Sequence, residues 1–359
     1  MENIMSDNSG FDNNFRAIDP YVAGEQPDFP DMIKLNTNEN PYPPSPGVIE
    51  ASKEFEGKNL RLYPTTDATK LRRAIAKYHG IDPSMVYVGV GSDDVLSIIF
   101  QSCFNSGIPI LFPEITYSFY VVWAQLYGIK YRMIPLRDDY RIEKKDYIGT
   151  ENGGIVIANP NAPTSIAMPV SDVEDIIKAN QNRVVVIDEA YVDFGGETAL
   201  PLLEKYKNLI VVRTFSKSRS LAGLRIGYAM ASPRIISAME TVKDCINSYP
   251  MNTTAIEIGA ASLEDEEYFR DRIEKIIKSR DTLTKGLEDL GFKVLPSSAN
   301  FVFATHPKIR ASEIFAKLRE KHIFVRHFNK PLIDDFLRIT VGTDEQVAIL
   351  LDELSKITY

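Results

Sequence analysis

Four apolar runs in this chain end in residues able to do acid–base or nucleophilic chemistry. The run LIVV (209–212) gives way to Arg213, Thr214, Ser216 and Lys217, and Arg225 stands just before the next run, IGYAM (226–230). VVVI (184–187) ends in Asp188, Glu189, Ala190 and Tyr191, GIVIA (154–158) in Asn159 through Thr164, and VYVGV (86–90) in Gly91, Ser92 and Asp93. Each has an ordinary explanation when taken singly. Asp188 makes a good helix cap, Gly91-Ser92-Asp93 is a generic helix start, and Lys217 with Arg213 and Arg219 suits a solvated basic connection. No G-x-x-x-x-G precedes Lys217, so it is not a P-loop lysine. Together, though, the four ends supply an amine, a carboxylate, a phenol, an amide and an anion-friendly helix terminus.

The elements that must position them are legible. Short continuous apolar runs suit strands buried on both faces, and helical patterns lie between several of them. Asp67 to Tyr78 carries Leu71, Ile75 and Tyr78 at helical spacing, and Ser171 to Ala179 is a second such segment. This is an α/β pattern with a mostly parallel central sheet flanked by helices, and ligands gather at the carboxyl ends of such strands. The tail differs. A long charged helix (264–290) precedes FKVLP, NFVFAT, a helix at 312–321, IFVRHF, FLRITV and a last helix, which together suggest a smaller α+β lobe. The expected division is an N-terminal arm over 1–45, a large domain over 46–250, and a linking helix with a small domain over 251–359.

The totals bound the function. With 359 residues, 44% hydrophobic and 25% charged, the chain is an ordinary globular protein, large enough for a main domain and a smaller one. A net charge of −8 argues against nucleic acid or an anionic membrane as partner. Cys103 and Cys245 lack metal-type spacing and read as buried thiols of a reducing compartment. MENIMSDNSGFDNN has no apolar core of a signal peptide, and no run approaches the length of a membrane span. A cytoplasmic protein without a metal site is the expectation.

The collected groups fit pyridoxal 5'-phosphate. A lysine bonds covalently to its aldehyde, a buried carboxylate keeps its pyridine nitrogen protonated, and a tyrosine and an asparagine hold its ring oxygen. Its phosphate suits a helix N-terminus, hydroxyls and an arginine fork.

At this point a resemblance can be stated. DEAYVDF (188–194) followed by TFSKSRSLAGLRIGY (214–228) resembles the fold-type I pyridoxal-phosphate aminotransferases. LNTNENPYPPSP (35–46), Tyr63-Pro64, GSDD (91–94) and FLRITVGT (336–343) look like the histidinol-phosphate aminotransferase group. The matches run from about Tyr21 to Gly342 in the family's order. The resemblance implies Lys217 as the Schiff-base lysine, Asp188 as partner of the pyridine nitrogen and Tyr191 as the phenol near the ring oxygen. It implies Gly91, Ser92, Asp93, Ser216 and Arg225 around the phosphate, with Thr214 close by, and Tyr117 stacked on the ring. Tyr63 matches a residue lent across a homodimer interface to the neighbour's cofactor. Arg338 matches the clamp on the substrate's acidic group. Arg326 and Tyr21 match contacts to the substrate phosphate, and Asn38 and Glu39 lie near its polar end.

The implied reaction is ping-pong transamination of histidinol phosphate with 2-oxoglutarate, a step of histidine biosynthesis. Transamination of aromatic amino acids, decarboxylation of threonine phosphate and a non-catalytic binding role are the alternatives. One departure stands out. The superfamily often has Asn-Pro-Thr-Gly where this chain has Ala162-Pro163-Thr164-Ser165. Asn161, one residue earlier, is then expected to supply the amide, and Ser165 in place of glycine asks for a turn with an acceptable φ or for local strain.

Overall fold

The computed structural model describes residues 14–358, so most of the acidic N-terminal segment discussed above lies outside the described residues. In chain order the elements begin with strand β1 (Ile33–Lys34) and helices α1 (Pro46–Glu54) and α2 (Thr69–His79). Then come β2 (Val86–Val90), α3 (Gly91–Cys103), β3 (Ile110–Pro113), α4 (Phe119–Leu126) and β4 (Tyr131–Ile134). Next are β5 (Ile155–Ala158), α5 (Val170–Ala179), β6 (Val185–Asp188), β7 (Leu209–Thr214) and β8 (Ile226–Ala231). Helices α6 (Pro233–Ile246), α7 (Thr253–Ala261) and α8 (Glu266–Asp289) lead to β9 (Lys293–Val294), β10 (Phe301–Thr305) and α9 (Ala311–Glu320). The chain closes with β11 (Ile323–Phe324), β12 (Arg326–His327), β13 (Leu337–Thr340) and α10 (Asp344–Thr358).

Seven strands form the main sheet in the order β2-β8-β7-β6-β5-β3-β4. Only β8 runs against its neighbours, β2 and β7, so the sheet is mostly parallel as its apolar runs predict. The pleat divides those runs between two cores. Ile155, Ile157, Val185, Ile187, Leu209 and Val211 face a layer containing Leu71, Ile75, Val173 and Ile177. Val156, Val186, Ile210 and Val212 face the opposite layer, with Ile99, Trp123, Ile236 and Met239. Both faces are covered, which is why these strands lack the apolar–polar alternation of a half-exposed sheet.

A second sheet, β12-β13-β10-β9, is antiparallel throughout. The segment IFVRHF reads as one strand but is two. β11 pairs in parallel with β1 of the N-terminal segment, and β12 pairs with β13. The cysteine expectation also needs correction. Cys103 is half-buried, but Cys245 is exposed. The inward stripe of α6 is Ile236, Met239 and Lys243, and Cys245 falls off that stripe in the helix's last turn.

Candidate active site

The carboxyl ends of β2, β5, β6 and β7 open on one cleft of about 440 Å³, roofed by residues 21–39 and by the small antiparallel sheet. It is lined by Ser92, Asp93, Tyr117, Asp188, Tyr191, Thr214, Ser216, Lys217, Arg225, Tyr21, Asn38, Glu39, Arg326 and Arg338. The sequence assigned every one of these to the site.

Asp188 is the last residue of β6, held in register by Ala158 and Val212 on either side. Its carboxylate is buried and receives the Tyr120 hydroxyl at 2.9 Å and the Ala190 amide at 3.2 Å. Among the described residues no cationic side chain pairs with it. Burial pushes its pKa up to about 6, against the pull of those two hydrogen bonds. Lys217 donates to the Thr37 carbonyl at 3.1 Å and sits 5.9 Å from the centre of the Tyr191 ring. Burial and then the Arg338 charge lower its amine to about 8. Tyr191 accepts from the Asn38 amide at 3.0 Å and meets Phe301 edge-on. Asn38 reaches it from a left-handed backbone position, φ 56°, with its own N–H held by Thr340 Oγ1.

At the far end, α3 begins without a side-chain cap, at Gly91 with φ 83°. A Cβ there would lie 2.5 Å from Arg225 Nη2, so only glycine lets the guanidinium lie against the helix start. Arg225 meets Asp93 at 3.2 Å, and Tyr117 donates to the other oxygen of that carboxylate at 2.7 Å. Thr214 Oγ1 accepts the Ser216 amide and bonds its hydroxyl at 3.0 Å. Helix amides, two hydroxyls and an arginine make an anion cradle.

The arginines opposite form a third group. Arg326 on β12 and Arg338 on β13 are direct cross-strand partners. Each guanidinium lies 5.4 Å from the Phe328 ring. Arg338 donates to the Asn36 carbonyl at 2.9 Å, while its buried Nε has no partner. Arg326 donates to the carbonyls of Val22 and Ala23. Among the described residues neither is paired with a carboxylate. Tyr21 stacks on Phe119 at 4.1 Å beside them. Glu39 accepts from Lys34 and Thr37.

Three expected residues do not line the cleft: Gly91, which lies against the Arg225 guanidinium at its edge, and Asn161 and Tyr63. Asn161 is 1% exposed and faces away, its oxygen taken by Thr116 and its nitrogen donating to Ile115 O and Thr164 Oγ1. Its hydrogen-bonding capacity is spent on its own loop and on the segment that follows β3, and Ala162 and Pro163 present themselves to the cleft instead. Of the two alternatives at Ser165, the backbone takes the strained one, a left-handed φ of 66°. Tyr63 is 83% exposed, stacked on Tyr249 and outside the cleft of its own chain. The sequence also misplaced two arginines. Arg213 is buried against Glu189 and Thr198, and Arg219 against Ser262 O and the Phe269 ring. They are internal, not solvated. Tyr120, Thr37 and Phe328 went unnoticed, since an aromatic three residues after Tyr117 on an apolar helix reads as core.

These groups fit pyridoxal 5'-phosphate. A buried carboxylate without a cation suits a protonated ring nitrogen, an amine lowered to about 8 suits an aldehyde, and the cradle suits a phosphate. Comparison with known proteins agrees. A family model for class I and II aminotransferases matches residues 30–354. The chain is 54% identical over 342 residues to the histidinol-phosphate aminotransferase of Lactococcus lactis subsp. lactis (strain IL1403), covering 95% of both chains. It is 54% identical over 344 residues to that of Acinetobacter baumannii (strain AB307-0294), again over 95% of each. The crystal structure of histidinol-phosphate aminotransferase from Sinorhizobium meliloti in complex with pyridoxal-5'-phosphate superposes with a TM-score of 0.82 at 27% identity, covering 91% of this chain and 90% of that one. The cleft, its uncompensated charges and these likenesses agree, and the chain belongs to the class I and II aminotransferase family.

Proposed function

We propose that this chain transfers the amino group of histidinol phosphate to 2-oxoglutarate, using pyridoxal 5'-phosphate. The observation that carries the substrate is the pair Arg326 and Arg338. Like charges directly opposite on neighbouring strands are unfavourable, and no carboxylate among the described residues relieves them. An anion bridging them does, and a phosphate monoester brings more charge to the task than a single carboxylate. Arg338's planar fork accepts either group, so both amino donors can use one site.

When bound, the cofactor supplies an electron sink for the carbanion at the substrate's Cα. Asp188 holds the proton on the ring nitrogen. Tyr191 and Asn38 together present a hydrogen-bonded hydroxyl at the ring-oxygen side. Lys217 would take the proton from the substrate's Cα, and burial and the Arg338 charge, which hold its amine below the ordinary lysine range in the cofactor-free chain, favour the neutral form a base needs. Arg225, Thr214, Ser216 and the start of α3 fix the phosphate so that ring and lysine stay aligned.

The test is an amino-donor panel with 2-oxoglutarate as acceptor. Histidinol phosphate should outperform phenylalanine, tyrosine and threonine phosphate. A preference for phenylalanine overturns the named substrate, and release of carbon dioxide from threonine phosphate puts the chain in the decarboxylating branch.

Three further readings accompany this one. The active unit is a homodimer in which Tyr63 reaches the neighbouring site. Tyr63 is solvent-facing together with Leu60, Leu62 and Tyr249, an apolar face that suits a second copy. A monomer in light scattering, or unchanged cofactor affinity in Tyr63→Ala, removes this. The large domain extends past residue 250, because Met251, Ala255, Ile256 and Leu263 pack in the main-sheet core, and the small domain follows from α8. Among the described residues no helix is long and apolar enough to cross a membrane, and the composition suits the cytoplasm.

A further inference from the structure

Asp188 and Lys217 are each followed by a residue that turns away from the cleft into a buried polar chain. Glu189, next to Asp188, accepts the Arg213 Nε at 3.0 Å, the Ala199 amide at 2.6 Å and the Thr198 hydroxyl at 2.8 Å. Arg213 also approaches Asp193 at 3.5 Å and bonds Thr198. Asp193 in turn accepts the hydroxyl of Ser218, the residue after Lys217, at 2.6 Å. From the opposite side Asn40 Nδ2 donates to the backbone carbonyls of both Lys217 and Ser218.

Charges are spent here at some cost, because Glu189 is fully enclosed and Arg213 nearly so. Burial works against Arg213's charge, but Glu189, Tyr228 and Asp193 together outweigh it and the guanidinium stays protonated. Burial raises Glu189, with Arg213 opposing that. His79 and Tyr228 border the same arginine, and burial followed by Arg213 pushes His79 down to about 3, so it adds no charge. Such ion pairs rarely gain net stability over an apolar core, which leaves geometry as their return. We propose that Glu189, Arg213, Asp193 and Ser218 are positioning residues that fix Lys217 relative to Asp188, acting through the residue that follows each.

The inference rests on Lys217 and Asp188 being the cofactor's partners, and its test separates the two ideas. In the cofactor-loaded enzyme, Ser218→Ala and Asp193→Ala should lower kcat by about tenfold or more with KM changed far less, as expected for misplacement of a reacting group. Both should also shift the pH midpoint of the cofactor's visible absorbance change, and Ser218→Thr should restore kcat and midpoint. Asp193→Asn, which can still accept from Ser218, should fall between wild type and Asp193→Ala. Wild-type kcat and midpoint in Ser218→Ala overturn the proposal, as does a lowered melting temperature without either change. A Lys217→Ala enzyme that keeps the wild-type absorbance behaviour instead overturns the assignment beneath it.

Discussion

At the cofactor end of the cleft, Asp188, Lys217 and Arg225 extend from strands of four to six residues that lie wholly inside the protein. At the substrate end, Arg326 belongs to a two-residue strand, Arg338 to a four-residue one, and Tyr21 to a stretch without regular structure. The charges are managed differently too. Arg225 has Asp93, whereas Arg326 and Arg338 lean on backbone carbonyls and one shared aromatic ring. A cofactor stays bound through many turnovers, so its end can be rigid and its ligands fixed. Substrates alternate between a phosphate and a carboxylate, so their end keeps its cations free of carboxylate partners.

Removing a group from the rigid end should have the largest effect. Lys217→Ala should lower transamination by about 10²- to 10⁴-fold or more, measured as 2-oxoglutarate-dependent turnover, since it loses both the covalent anchor and the base. A smaller loss would place the proton transfer elsewhere.

The substrate end should respond selectively. Arg338→Lys keeps the charge but loses the fork, and should cost about 10- to 100-fold in kcat/KM for histidinol phosphate and glutamate alike. Arg326→Ala should reduce histidinol phosphate more than glutamate. Equal losses for both donors in Arg326→Ala would erase the distinction drawn between the two arginines.

Tyr120→Phe tests the rigid end more gently. The lost hydroxyl favours the charged carboxylate, so the pKa of Asp188 should rise above about 6 and cofactor affinity should weaken by about 2- to 10-fold, in a fluorescence titration. The smallest effect joins the two ends. In the cofactor-free protein, Lys217 is neutral above its midpoint, so its modification by an amine reagent should rise through about pH 8. Arg338→Met removes a charge that lowers this value, and the midpoint should move up. No movement would mean the ends are electrostatically separate.

Much of this was legible in the residues. Continuous apolar runs announced strands buried on both faces, and the polar residues ending them announced the cleft, because a parallel sheet brings its carboxyl ends together. What failed was partnership. Arg213 looks solvated until the fold places Glu189 beside it, just past the end of the neighbouring strand, a pairing 24 residues apart in sequence. Asn161 looks available until its loop is built, and then Thr116, Ile115 and Thr164 have claimed it. The division of IFVRHF between two sheets depends on β1, whose two residues carry no strand signal of their own. Local pattern shows which residues are unusual. It does not show which polar atom satisfies which.

The facing arginines of β12 and β13 also bear on how the protein endures. An empty site leaves two cations opposed across a short pair of strands, and an occupied one has them tied by a shared anion. Substrate therefore behaves as a removable staple of the small sheet, drawing the native state down in free energy with the logarithm of its concentration once that exceeds the dissociation constant. Starved of substrate, that pair of strands loses this contribution and keeps only its backbone and aromatic contacts.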